Sequence, residues 1–169
     1  MKLLNELDSL LHPEIPEKAP QIIDEHFVKA LYQSLNIKTP EADTALCGSY
    51  RQCSLPSVSG HKYPLPEDIP QLMAHFSSQI EFSKSTLHPV ELAAMAYKRI
   101  VDIAPFPSGN EALAQALMNQ ILTDHGYPAL IIPDEMRAAC EAALKQSRKH
   151  RDMDLFSQFI IQCLLQKFQ

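Results

Sequence analysis

The apolar positions of this chain recur mostly at three- and four-residue intervals, the spacing that lays one stripe along a helix. Leu3, Leu4, Leu7, Leu10 and Leu11 form the first stripe. Residues 12–20 carry three prolines, end that stripe and read as a linker. A second helix is predicted over residues 21–35, with Ile23, Phe27, Ala30, Leu31 and Ser34 on one face. Between Lys38 and Pro70 the helical period disappears. Pro40, Pro56, Pro64, Pro66 and Pro70, with Gly48 and Gly60, leave no room for a helix there. Two extended pieces, residues 50–55 and 61–65, flank Ser57-Val58-Ser59-Gly60 and predict a small β-hairpin or flap.

Helical spacing then resumes. Ile69, Leu72, Met73, Phe76 and Ile80 make one stripe. Val90, Ala93, Ala94, Tyr97 and Val101 make another, opened by Pro89 at a first-turn position. Ala112, Leu113, Ala116, Leu117 and Ile121 make a third, ended by Gly126 with Pro128 just beyond. Met136, Cys140, Ala143 and Leu144 give a fourth, and Leu155, Phe156, Phe159, Ile160, Cys163 and Leu164 a fifth. The expected class is all-α with one small β element, and each helix is expected to bury a single face.

With 169 residues there is room for one ordinary core. Twenty acidic against fifteen basic residues give a formal charge of −5, which argues against a general nucleic-acid surface. No apolar run approaches the roughly 20 residues that span a bilayer. Glu6 and Asp8 stand where a signal peptide needs an apolar stretch. A cytoplasmic protein with no membrane partner is expected, with export by a machinery that reads other signals left open. Cys47, Cys53, Cys140 and Cys163 form no C-x-x-C pair, and the seven histidines show no ligand spacing, so no metal site is expected. Four glycines do not make a P-loop or a dinucleotide loop. The basic run Arg148, Lys149, His150 and Arg151 reads as a solvated corner between helices.

The most informative stretch opens with His88-Pro89-Val90-Glu91-Leu92-Ala93. It turns through Ala104-Pro105-Phe106-Pro107-Ser108-Gly109-Asn110-Glu111-Ala112, continues into Leu117-Met118-Asn119 and leaves by Gly126-Tyr127-Pro128. This order resembles the Fic family of AMP-transferring proteins, whose loop reads His-Pro-Phe-x-(Asp/Glu)-Gly-Asn-Gly-(Lys/Arg). Gly48-Ser49-Tyr50-Arg51 and the proline-rich exit from Pro64 to Pro70 resemble the family's flap region, and Glu141-Ala142-Ala143-Leu144 with Phe156 and Phe159 resembles its final helix pair. The resemblance implies a Fic-type helical bundle with a β-hairpin flap. Residues 1–20 form an N-terminal helix and linker, residues 21–169 the Fic-like domain, and residues 37–70 the flap region.

In an active loop of this family the His is the general base, the acid holds Mg²⁺, the Gly-Asn-Gly backbone cradles phosphate at a helix N-terminus, and the cation pairs with the outer phosphates. Here Ala104, Ser108, Glu111 and Ala112 replace the base, the acid, the second Gly and the cation, whereas Pro105, Phe106, Gly109 and Asn110 match. The expectation is a catalytically inactive site with no cofactor; ATP and Mg²⁺ are the cofactors if the family activity persists. Ser108-Gly109-Asn110-Glu111 also fits a capping box, in which Ser108 and Glu111 would satisfy each other's main-chain N–H and close the anion site. Tyr97, Asp102 and His125 are the candidates for a substitute base, and Asp102 is expected to point away from position 104. The flap residues Cys53, Ser54, Leu55, Val58, Gly60 and His61 are expected to dock an extended target segment by strand addition.

Three functions follow from the resemblance. The first is a protein-binding module without transfer activity. The second is a transferase using a different base on a protein hydroxyl. The third is a regulatory subunit paired with a homologous Fic chain. The Met1–Leu11 helix is expected to pack over the site or to mediate a homo-oligomer.

Overall fold

The computed structural model describes residues 2–14, 16–35 and 48–168. Residues 37–47 of the expected flap region, Cys47 among them, lie outside the described residues. Seven α-helices occur among the described residues. They are α1 (Lys2–Leu11), α2 (Glu25–Ser34), α3 (Ile69–Ser83), α4 (Pro89–Ile103), α5 (Asn110–Asp124), α6 (Arg137–His150) and α7 (Asp154–Phe168). Short 3₁₀ turns, Pro66–Asp68 and Asp134–Met136, lead into α3 and α6. None of the described helices is long and apolar enough to cross a membrane.

α4 is the central post. It packs against α3, α5 and α7, so its Val90, Ile100, Ile103 and the whole run Leu92–Tyr97 are buried. The single buried face expected for this helix is therefore corrected to burial almost all round, a pattern that three neighbours on different sides require. Small side chains make this close approach feasible: Ala93, Ala94 and Ala96 are fully buried. His88 caps the helix. Its Nδ1 accepts from the Val90 N–H at 3.2 Å, while Glu91 reaches back to the His88 N–H at 3.1 Å.

α2 is shorter than expected, because Asp24 caps it and accepts from the Phe27 N–H at 2.7 Å. Its inward face is corrected in part. Ile23 is buried and Phe27 and Leu31 pack on the core as expected, but Val28 and Tyr32 are also buried, whereas Ala30 and Ser34 are exposed. The rotation follows from Tyr32, whose ring finds a partner in Phe106.

The flap forms, but its β character is one antiparallel bridge between Val58 and His61, with N–H···O distances of 3.2 and 2.9 Å. Ser59 and Gly60 turn the chain with φ of 49° and 81°, the pair of positive values that tight hairpin turns use. A longer ladder is prevented locally. Pro56 and Pro64 have no N–H to donate, and the carbonyls of Cys53 and Pro64 are taken by Arg51.

α1 lies against α7. Asp8 accepts from the Tyr127 hydroxyl at 2.6 Å and meets His88 Nε2 at 3.3 Å. The residues after α1 pass close to Gly126, where a Cβ would run into the Glu14 carbonyl.

Candidate active-site cleft and family membership

α4 ends at Ala104, which caps the helix in the left-handed conformation (φ 46°, ψ 66°) and donates its N–H to the Ile100 carbonyl at 2.8 Å. A non-glycine residue there costs about 1 kcal/mol. The chain then turns through a loop that is held from inside. Pro105 and Phe106 are buried. The Phe106 ring stacks on Tyr32 with centroids 3.8 Å apart and planes 5° apart, and Tyr50 tilts against it at 5.6 Å. Asn110 closes the loop on itself: its Oδ1 accepts from the Phe106 N–H at 2.9 Å and its Nδ2 donates to the Phe106 carbonyl at 2.8 Å. The Tyr32 hydroxyl donates to the Ser108 carbonyl at 3.0 Å.

The capping box expected from Ser108 and Glu111 is absent. α5 begins after Gly109, itself left-handed at φ 73°, and no side chain caps it. That turn carries the chain into the helix without help from Ser108. Glu111 instead faces Arg137 at the start of α6, 3.6 Å away. Ala112 is exposed.

Arg51 ties the flap to this loop and is 1% exposed. Its Nε donates to the Ala104 carbonyl at 2.7 Å, Nη1 to Cys53 at 2.9 Å, and Nη2 to Pro64 at 2.7 Å and to Ile103 at 3.3 Å. Its N–H adds a bond to the Pro105 carbonyl at 2.8 Å. Burial pulls the guanidinium below its ordinary pKa. The clamp explains why the flap can be short of ladder bonds and still keep its place.

Between flap, loop and α6 lies a cleft of about 250 Å³. Leu55, Val58, Ser59 and Tyr63 line it from the flap; Tyr97, Val101 and Ala104 from α4; Asn110 and Glu111 from α5; and Arg137, Cys140, Glu141, Leu144 and Arg148 from α6. Of the predicted site residues, Ala104, Asn110, Glu111, Leu55 and Val58 thus meet at one cavity. Cys53, Ser54 and Gly60 are exposed on the flap, away from the lining, and Pro105 and Phe106 support the loop from below. No residue of α1 lines the cleft, which corrects the expectation that the first helix packs over it.

The substitute bases fare unevenly. Burial raises the pKa of Tyr97, which shares a side-chain hydrogen bond with Cys140. Burial likewise pushes the Cys140 thiol up to about 11. Asp102 is committed to Lys98 at 2.5 Å and to Arg148 at 2.6 Å, and His125 turns back onto the Ile121 carbonyl at 2.8 Å. His61 reaches from the flap to the main-chain carbonyl of Asp102 at 2.9 Å. The whole α6 wall went unnoticed in the sequence. Its signal was the spacing 137, 140/141, 144, 148, an unbroken helical stripe with an arginine at each end.

The family model described as the Fic/DOC family matches residues 22–122. The chain belongs to the Fic/DOC family. Proteins named "Protein adenylyltransferase Fic" from Drosophila sechellia and Drosophila willistoni are 39% and 40% identical to this Fic domain over 107 and 108 residues, 63% of this chain in each case. This chain spans only 22% and 21% of their lengths. A Fic-domain signalling protein from Bacteroides thetaiotaomicron superposes with a TM-score of 0.78 at 24% identity, covering 99% of this chain and 68% of its own. Fic-1 from C. elegans superposes at 0.73 and 23% identity, covering 99% and 47%.

Proposed function

We propose that this Fic domain does not transfer AMP and acts through protein binding, with the flap as the docking edge. The carrying observation is Ala104. The position where the resemblance puts a general base bears a methyl group at the wall of the cleft, and none of the described residues lining that cleft is a histidine. Losing a general base alone costs about 10²–10⁴ in rate.

The residues present do not fit a magnesium–nucleotide complex. Ser108 offers a hydroxyl where a carboxylate would hold the metal. Glu111 puts a carboxylate in the first turn of α5, at the end that favours anions, and exposed Ala112 supplies no cation. The flap supports a binding role: Val58 is 54% and Leu65 52% exposed, beside extended main chain held rigid by Arg51.

A second reading, transfer with another base, rests on His61, whose imidazole reaches the end of α4. Incubation with labelled ATP, Mg²⁺ and a cell lysate separates the readings. The native chain is expected to label nothing, while a version carrying Ala104→His, Ser108→Asp, Glu111→Gly and Ala112→Arg labels protein. Labelling by the native chain that is lost in His61→Ala overturns the proposal.

A further inference from the structure

Of the basic run at the end of α6, Lys149, His150 and Arg151 are exposed as its sequence suggests, and Arg148 alone turns inward. Arg148 is 24% exposed and its Nε sits 2.6 Å from Asp102; Lys98 is 14% exposed and sits 2.5 Å from the same carboxylate. Two cations therefore share one anion where solvent reaches them poorly, which leaves a positive charge uncompensated. Arg148 lines the cleft and also a neighbouring hollow of about 320 Å³, where Lys98 and Arg151 join it with one more carboxylate, Asp152. That hollow counts three cations against Asp102 and Asp152, in a chain whose net charge is −5. The flap ends at the same place: His61 meets the carbonyl of Asp102, whose carboxylate holds both cations.

We propose that the cleft between the flap and α6 docks an extended acidic protein segment, its main chain along the flap and a carboxylate side chain at the paired cations Arg148 and Lys98. The proposal rests on the docking role given to the flap and names the chemistry of the partner. Arg137 and Arg148 lie on one face of α6, eleven residues and so about 16 Å apart, the reach of about five extended residues. Glu111 already partners Arg137, and Glu141 lines the cleft between the two arginines, so the attraction for a carboxylate is confined to the Arg148 end. Leu55, Val58 and Leu144 give the apolar part of the floor. The local field speeds capture of an acidic segment and discriminates against a basic one.

Panning a random twelve-residue peptide display library on the intact chain tests this. Enriched peptides are expected to carry Asp or Glu, and synthetic copies to bind about tenfold more weakly to Arg148→Gln, and more weakly again as salt rises. Arg151→Gln, on an exposed side chain, serves if Arg148→Gln does not fold. Enriched peptides that lack acidic residues, or that bind both variants as tightly as the native chain, overturn the acidic specificity while the flap remains a docking edge. An absence of any enriched peptide overturns both.

Discussion

Arg51 holds its charge between four main-chain carbonyls, and that arrangement makes it the least replaceable residue of the site. A lysine offers one compact point charge and cannot span oxygens on the flap and on the α4 terminus together. Arg51→Lys is expected to lower unfolding stability by about 2–4 kcal/mol, since buried carbonyls would lose their donors, as measured by urea denaturation. Arg51→Met should cost at least as much. The role of Arg51 was not legible in the sequence, although its motif was. Gly48-Ser49-Tyr50-Arg51 pointed to the flap, but a bond from residue 51 to residues 103 and 104 is a long-range fact that no local pattern carries. Asn110 and Phe106 were in the motif, and their loop-shaping bonds span only four residues, yet the pairing itself came from the structure.

Helix by helix, the apolar spacing located every described α-helix, because each must bury something to persist. It failed where burial is two-sided or decided by one aromatic contact. α4 shows nearly continuous burial, and no moment of its sequence could say so. α2 is rotated because the Tyr32–Phe106 stack outweighs the Ala30 and Ser34 positions. The capping box misled for a related reason: Gly109 makes the turn alone, which frees Glu111 for Arg137. At the other end of the domain α1 is held by the Asp8, His88 and Tyr127 cluster. Tyr127→Phe removes the hydroxyl that meets both the Asp8 carboxylate and His88 Nε2 and is expected to cost about 1–2 kcal/mol. Gly126→Ala should cost more, because it combines a left-handed φ of 81° with a methyl directed at the Glu14 carbonyl. Chemical denaturation of both variants checks the order, and proteolysis at residues 12–14 should speed up in Gly126→Ala alone.

Across the whole molecule, the thiols give the pH response a sign. Burial pushes Cys140 and Cys163 from 9.0 to about 11. The folded chain therefore keeps protons that the unfolded chain releases, so this part of the stability is complete below about pH 9 and is lost as pH climbs toward 11. Thermal melts are expected to be flat from pH 6 to 8 and to fall above 9, with a shallower fall in Cys163→Ala. Exposed Cys53 should react with iodoacetamide in the native state while both buried thiols resist. The main chain at position 104 has a longer reach. Its left-handed turn is one that histidine adopts more readily than most residues, so Ala104→His is expected to fit the existing main chain. A laboratory selection for labelling activity can thus start from side chains, with the main-chain socket already in place.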